Sequence, residues 1–121
     1  MQLEDVYQFF KNPPIAYLNY ELAVGYIFSV LLKKDSYGTE LIQLLEVEHP
    51  NYRLSDTVLY GALNFLEGDG LITSYWKKLE GRGRPRRMYQ ILPQAQTHAE
   101  DLAKLWETYM ENNRNTRDPV E

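Results

Sequence analysis

The fold is decided by residues 54–92, LSDTVLYGALNFLEGDGLITSYWKKLEGRGRPRRMYQIL. Ser55 favours the N-terminal cap of a helix, and the apolar residues after it recur at helical spacing as far as Glu67. The Gly-Asp-Gly run at residues 68–70 is a stop signal, after which the pattern changes to short β-rich segments. The sequence therefore predicts a helix that is followed at once by strands.

The β-rich segments, residues 71–79 and 86–92, flank a loop of Glu, Gly, Arg and Pro residues. Turn-forming residues between two such segments predict a β-hairpin with a long tip. Upstream, helical spacing predicts one helix over residues 20–33 and another that is capped by Ser36 and runs to about Glu48. Three consecutive helices and then a hairpin is the order of a winged helix-turn-helix domain.

Both ends of the chain add helical patterns to this domain. Residues 1–12 carry an apolar stripe, and a helix this short must lie on the rest of the domain or on a partner chain to be stable. We expect a mainly α fold with a small β-hairpin, divided into an N-terminal extension helix (1–20), a winged helix-turn-helix domain (21–92), a dimerisation helix (93–113) and a disordered tail (114–121).

Composition limits the function classes. The chain has 121 residues, of which 44% are apolar, and it has no cysteine, so we expect one domain without disulfides or thiolate metal sites. Its longest apolar run, residues 22–32, is too short to cross a membrane, and the acidic Glu4 and Asp5 do not resemble a secretory signal. These features predict a cytoplasmic protein without a membrane partner.

Charge is distributed unevenly along the chain. The net charge of −4 alone argues against a nucleic-acid partner, because a phosphate-binding surface should be basic. Residues 75–89, however, hold six basic residues and one acidic residue, a local balance of +5, so the rest of the chain sums to −9. An acidic body with one basic projection would be repelled by DNA everywhere except at that projection.

The helix that begins after Ser55 is the candidate for recognition of DNA in the major groove, which the N-terminal half of such a helix enters. The polar or small residues outside its apolar stripe are Ser55, Asp56, Thr57, Tyr60, Gly61 and Asn64, of which the acidic Asp56 suits the helix N-terminus rather than a phosphate. We expect Ser55 and Thr57 to donate to phosphate and Asn64 to bond adenine, while Gly61 permits close approach of the DNA. The alternative is a solvated helix face with a core tyrosine.

The hairpin supplies the second set of DNA-contact candidates. Guanidinium groups on a slim loop suit a narrow minor groove, so Arg82 and Arg84 are predicted to enter it. The residues predicted to lie nearer phosphate are Lys77, Arg86 and Arg87. The alternative is a solvated basic turn, with Trp76 bracing the hairpin. Tyr37 is placed either at a phosphate beside the third helix or on the core.

Three stretches resemble the PadR-like family of bacterial regulators over residues 21–110: DSYGTELI at 35–42, the segment 54–72, and GRPRRMY at 83–89. The family usually has Gly-Thr where this chain has Thr57 and Val58, and often Pro where it has Gly61. Because these positions face DNA, the family's operator sequence cannot be carried over to this chain.

The resemblance implies a homodimer that binds double-stranded DNA at a two-fold-related operator, with the last helix packed against the partner. On this basis we expect a sequence-specific transcriptional repressor. The candidate dimer contacts are Phe9, Phe10, Leu102, Trp106, Tyr109 and Met110. Some relatives bind drugs in a flat pore that is lined by a tryptophan from the last helix, so a small-molecule effector beside Trp106 is an alternative.

A further alternative is a protein-interaction module whose hairpin meets an acidic protein partner. An enzyme is not expected, because neither His49 nor His98 stands in a recognisable catalytic or metal-ligand motif. The Gly81-Arg82-Gly83 run is also too short to cradle a phosphate. The sequence therefore predicts no catalytic residue, no metal and no cofactor.

Overall fold

The computed structural model describes residues 1–11, 15–78 and 83–117, apart from the side chains of Phe9 and of residues 114–117. Its elements are α1 (Leu3–Lys11), β1 (Ala16–Tyr17), α2 (Tyr20–Leu31), β2 (Ser36–Tyr37), α3 (Gly38–Glu48), β3 (Tyr52–Arg53), α4 (Asp56–Gly68), β4 (Ile72–Lys77), β5 (Arg86–Ile91), a 3₁₀ turn (Pro93–Ala95) and α5 (Gln96–Arg117). The predicted mainly α fold with a winged helix-turn-helix is confirmed.

The wing is a three-stranded antiparallel sheet in the order β2-β5-β4. The predicted hairpin forms its outer part, and Trp76 lies opposite Arg87 in its register. The third strand, β2, was not predicted; in it Ser36 pairs with Tyr89 of β5. This pairing ties the start of the helix-turn-helix to the base of the wing.

The predicted cap of the third helix is wrong, whereas that of the fourth is confirmed. Ser36 lies in β2 with a fully buried side chain whose hydroxyl donates to Glu40 at 2.7 Å. Because the strand needs extended backbone there, α3 begins later, and Tyr37 occupies its cap position without a side-chain cap bond. Ser55 does cap α4, since its Oγ accepts from the backbone N–H of Val58 at 3.2 Å.

The C-terminal helix α5 packs along α2 of the same chain. A Cβ built on Gly25 would lie 3.0 Å from the Cβ of Trp106, so the two helices touch almost backbone to backbone. The indole of Trp106 meets Tyr26 edge to face, with ring centroids 5.4 Å apart. The helix also continues past the predicted end at residue 113, to Arg117. Residues 118–121 of the expected disordered tail lie outside the described residues.

Tyr26 is the polar centre of this helix contact. Its hydroxyl donates to the carbonyl oxygen of Leu41, which links α2 to α3. Burial, with a smaller contribution from the charge of Glu48, raises the pKa of Tyr26 well above its usual range. The phenol is therefore neutral and satisfied inside the core, and it holds the two helices at a set separation.

The N-terminal segment is anchored to the domain by β1, which follows α1, and not by α1 itself. β1 pairs in parallel with β3, Ala16 opposite Tyr52, and Leu18 is buried beside them. The apolar side chains of α1 share one face, and most of that face is exposed in the single chain. The predicted helix is thus present, and Leu3, Tyr7 and Phe10 on its apolar face are largely exposed in the single chain.

Candidate nucleic-acid interface

α4 presents a polar stripe that the core leaves free. Leu59 and Leu63 are fully buried, whereas Thr57 and Asn64 on the opposite side are exposed. Neither of these two side chains has a hydrogen-bond partner among the described residues. The amide of Asn64 can therefore offer its paired donor and acceptor to a base edge, and the hydroxyl of Thr57 can bond a phosphate or a base.

Tyr60 links the two helices of the helix-turn-helix. Its hydroxyl lies so close to Gly38, the first residue of α3, that any side chain there would overlap it. Tyr60 is nevertheless 46% exposed, so one part of its side chain packs between α3 and α4 and the other part lies on the surface. The prediction of a contact residue and the alternative of a core tyrosine each describe one part of this side chain.

Gly61 has a different role from the one predicted. A Cβ at this position would lie 2.5 Å from Cε1 of Tyr20, the first residue of α2. The open space beside Gly61 is therefore filled by a ring of the same chain, and the close approach is that of Tyr20 rather than of DNA. Tyr20 itself is half exposed, which adds a phenol to the surface beside the polar stripe.

The wing arginines Arg86 and Arg87 are neighbours in sequence but lie in different environments. The guanidinium of Arg86 stacks on the ring of Tyr37, 4.3 Å from its centroid, and pairs with no carboxylate among the described residues. Arg87 donates from Nη2 to Glu67 at 3.0 Å and from Nε to Ser74 at 3.1 Å. The charge of Arg87 is thus neutralised by α4, and the expected phosphate contact of Arg87 is not supported.

The other predicted wing cations are distributed along the hairpin. Lys77 at the end of β4 and Arg84 in the loop are exposed, and neither has an ion pair among the described residues. Arg82 lies outside the described residues. Arg86 adds a third positive charge, and its guanidinium group is held in place by stacking on the ring of Tyr37.

Two tyrosines brace the wing against the body. The hydroxyl of Tyr75 in β4 donates to Asp35 at 2.6 Å, and this hydrogen bond raises the pKa of Tyr75. Tyr89 in β5 is buried, and burial raises the pKa of its phenol. Both phenols stay neutral at physiological pH, so the wing is held by the hydrogen bond from Tyr75 to the Asp35 carboxylate, by the packing of Tyr89 and by the Arg87–Glu67 ion pair.

The predicted dimer contacts divide into two groups. Trp106 and Met110 are about 5% exposed, because both point into the core under α2, whereas Tyr109 and Phe10 are well exposed and Leu102 is half-buried. The side chain of Phe9 is not among those described. Sequence reasoning missed Leu105, which is 64% exposed and lies three residues after Leu102 and four before Tyr109. That spacing was a visible signal, since residues so spaced share a helix face.

A ligand site at Trp106 has little support in the single chain. Tyr26 and His49 cover the indole edge to face, and His49 lies 5.7 Å from it between ring centroids. What remains is an open depression that Trp106 shares with two acidic residues, Glu107 and Glu111. The described residues around Trp106 therefore offer no exposed aromatic floor for a planar molecule.

Metal ligands and membrane-spanning helices were sought in the described part of the chain. No three His, Asp or Glu side chains there come together in a way that could bind a metal ion. None of the described helices is both long and apolar enough to cross a membrane. His98 is exposed on α5, and His49 packs on Trp106.

Comparison with known proteins decides the family. The model of the transcriptional regulator PadR-like family matches residues 27–101, well over half of the chain. The chain belongs to the PadR-like family. Comparison with curated protein sequences gives no significant match. The predicted family resemblance is thereby confirmed, and so is the class of transcriptional regulator.

Solved structures place this PadR-like chain more narrowly. It is 64% identical to the circadian clock associated protein Pex from Anabaena, with a TM-score of 0.84, covering 94% of this chain and 99% of that one. It is 61% identical to Pex from Synechococcus sp. strain PCC 7942, also with a TM-score of 0.84, covering 91% and 98%. Bacillus subtilis PadR in complex with operator DNA shares the fold at 19% identity and a TM-score of 0.55, over 64% of this chain and 44% of that one.

Proposed function

We propose that this PadR-like chain is a homodimeric, sequence-specific DNA-binding repressor. The observation that carries the proposal is that α4 and the wing line one cleft, in which Asn64 and Tyr60 of α4 lie beside Arg86, a wing cation without an ion pair among the described residues. α4 enters the major groove with Thr57 and Asn64 toward the bases. The cap oxygen of Ser55 keeps its hydroxyl proton available for a phosphate.

The wing supplies the flanking contacts of the proposed complex. Arg82 and Arg84 enter the minor groove, where a slim loop and planar guanidinium groups fit. Lys77 and Arg86 contact phosphates, since both are exposed and lack an internal ion pair among the described residues. Arg87 stays on Glu67 and positions the wing on α4 instead of contacting DNA.

The proposed dimer is built on α1 and on the outer stripe of α5. Leu105 and Tyr109 continue the line of the half-buried Leu102, and α1 offers a second exposed apolar face with Phe10. Burying these faces against a partner would stabilise α1, because a helix this short is not stable without packing against another element. Trp106 and Met110 are not part of this surface; they are buried on the inner side of α5 and hold that helix against α2.

The dimer surface is tested by Leu105→Glu, with Val47→Glu as the matched control, because Val47 is at least as exposed but lies on α3. Sedimentation velocity should show that Leu105→Glu shifts the protein toward monomer while Val47→Glu leaves the dimer intact. A dimer that survives Leu105→Glu unchanged would remove α5 from the proposed interface.

The proposed role is repression of a circadian clock gene, in the cytoplasm at the nucleoid, by binding rather than by catalysis. Support comes from the two relatives at 61% and 64% identity, both of which are Pex proteins, one described as circadian clock associated. The matched family is one of transcriptional regulators, which supports a non-enzymatic action. Repression follows physically if a dimer on a promoter blocks access of polymerase.

Fluorescence anisotropy tests the proposal with two labelled duplexes, one from upstream of a clock gene and one scrambled. We expect tighter binding to the first and a marked loss in Arg84→Ala/Arg86→Ala, but little change in Arg87→Ala. Equal binding to both duplexes would keep the DNA-binding function and remove the clock target. No binding to either at low salt would contradict the DNA-binding function and favour a protein partner for the wing.

A further inference from the structure

Trp76 is a large side chain of the wing that the rest of the described chain leaves mostly uncovered. It lies in β4 and is 69% exposed, whereas Trp106, the other tryptophan of the chain, is 5% exposed. A bracing role would require the indole to be covered by its own chain. Large rings with a polar N–H are common where a protein surface meets a partner, because they offer apolar area and one donor together.

The register of β4 directs Trp76 to the α4 side of the wing. Side chains alternate along a strand, so Ile72, Ser74 and Trp76 share one face. Ile72 on this face is buried in the core, and Ser74 donates to Glu67 of α4 at 2.9 Å. Trp76 lies on the same face, nearer the tip of the hairpin, where α4 no longer covers the strand.

The indole thereby lines an open cleft between wing and helix-turn-helix. The cleft has a volume of about 360 Å³ and is lined, besides Trp76, mainly by Tyr37, Thr39, Tyr60, Asn64 and Arg86. Its walls hold aromatic faces, hydroxyls, an amide and a guanidinium, and none of the described lining residues is acidic. Flat apolar area beside donors and positive charge fits one chemistry well, the sugar–phosphate backbone of DNA.

We propose that Trp76 packs against a deoxyribose of the DNA strand that runs between α4 and the wing, with its Nε1–H donating to the adjacent phosphate. Arg86, held over Tyr37, neutralises the same stretch of backbone. The contact fixes how deeply α4 sits in the major groove, because it lies between the two elements that enter the grooves. This inference rests on the proposed DNA-binding function and adds to it a residue in the body of the cleft.

The presence of only two tryptophans allows a direct test in the full chain. Trp106→Phe leaves Trp76 as the sole indole, and Trp76→Phe leaves Trp106. Acrylamide quenching is measured for each variant, free and with the tighter-binding duplex, while anisotropy confirms binding in the same samples. We expect the duplex to protect Trp76 severalfold and to leave the already buried Trp106 unchanged.

Affinity supplies the second readout. We expect Trp76→Ala to weaken duplex binding by about tenfold, or about 1.4 kcal/mol, and Trp76→Phe to weaken it less, because the ring still packs but the N–H is lost. Tyr75→Ala measures how much affinity is lost when the wing is merely loosened, since Tyr75 is the neighbouring aromatic on the opposite face of β4 and donates to Asp35. It should weaken binding clearly less than Trp76→Ala, because Tyr75 does not line the cleft.

The outcomes separate this inference from the function on which it rests. Binding by anisotropy with Trp76 as quenchable as in free protein would overturn the contact and leave the DNA-binding function standing. Equal losses in Trp76→Ala and Tyr75→Ala would also overturn it, because they would indicate general distortion of the wing. Absence of duplex binding by the unaltered chain would overturn both.

Discussion

The wing and α5 were both predicted to face outward, one toward DNA and the other toward a partner chain, and the structure treats them differently. The wing exposes Trp76 and the unpaired cations among its described residues to solvent, while α5 directs Trp106 inward onto Gly25 and Tyr26. Each region holds one of the two tryptophans. An apolar stripe in the sequence therefore shows which face of a helix is covered, but it does not show which element covers it. A cluster of charged residues in a turn is more informative, because charged side chains are rarely buried and so face solvent or a binding partner.

The largest effect that tests this comparison is on folding stability. Trp106→Ala removes a buried indole at the α2–α5 contact and should lower the free energy of unfolding by about 3–5 kcal/mol. Trp76→Ala removes an exposed indole and should change it by no more than about 0.5 kcal/mol. Urea denaturation followed by circular dichroism at fixed protein concentration measures both. Equal losses of unfolding free energy in the two variants would contradict the claim that Trp106 is a core residue and Trp76 a surface residue.

A second test concerns how closely α5 lies on α2. Gly25→Ala would place a methyl group 3.0 Å from the Cβ of Trp106 and 3.1 Å from the carbonyl oxygen of Leu102, and overpacking of this kind costs about 1–3 kcal/mol. Gly68→Ala is the control, because nothing lies within 4 Å of a Cβ there. Thermal unfolding should show Gly25→Ala destabilised and Gly68→Ala not. A Gly25→Ala variant as stable as the parent would contradict the close contact.

Within the wing, the sharpest contrast is between the two neighbouring arginines. Arg86→Ala should weaken duplex binding by about tenfold, or about 1.4 kcal/mol, because its charge is free to meet a phosphate. Arg87→Ala should have a clearly smaller effect, because that charge already pairs with Glu67. Anisotropy titrations at one salt concentration compare them. A larger loss for Arg87→Ala would reverse the assignment.

The smallest effect concerns the contact between Tyr20 and Gly61. In a helix interior, alanine is more stable than glycine by about 0.5–1 kcal/mol, but here the new methyl would displace Tyr20. Gly61→Ala should therefore gain that stability only in a Tyr20→Ala background. A double-mutant cycle on unfolding free energies shows the coupling. If Gly61→Ala stabilises both backgrounds equally, the tyrosine does not fill the space.

The elements that sequence patterns predicted well depend on local signals. The cap at Ser55, the periodicity of α4 and the two strands β4 and β5 are each encoded within a few residues, and all appear in the structure. Ser36 was misassigned because its strand pairing with Tyr89 joins residues far apart in sequence. The same serine suits a helix cap or a buried strand, and only the distant partner decides between them.

The candidate site shows the same limit. Exposed polar residues on α4 could be predicted by subtracting the apolar stripe, which placed Thr57 and Asn64 correctly on the outer side. The neutralisation of Arg87 by Glu67 and the filling of the space at Gly61 by Tyr20 could not, since both join separate elements. Local patterns thus predict which side chains face outward, and the tertiary contacts decide which of these are free to bind.

The salt dependence of duplex affinity tests the central claim most directly, namely that the wing and α4 together form a phosphate-neutralising surface on an otherwise acidic chain. If each protomer of the proposed dimer neutralises about four phosphates, the slope of log K against log salt should be about −7. Arg84→Ala/Arg86→Ala should make that slope distinctly shallower. A slope near zero in the unaltered protein would contradict the account.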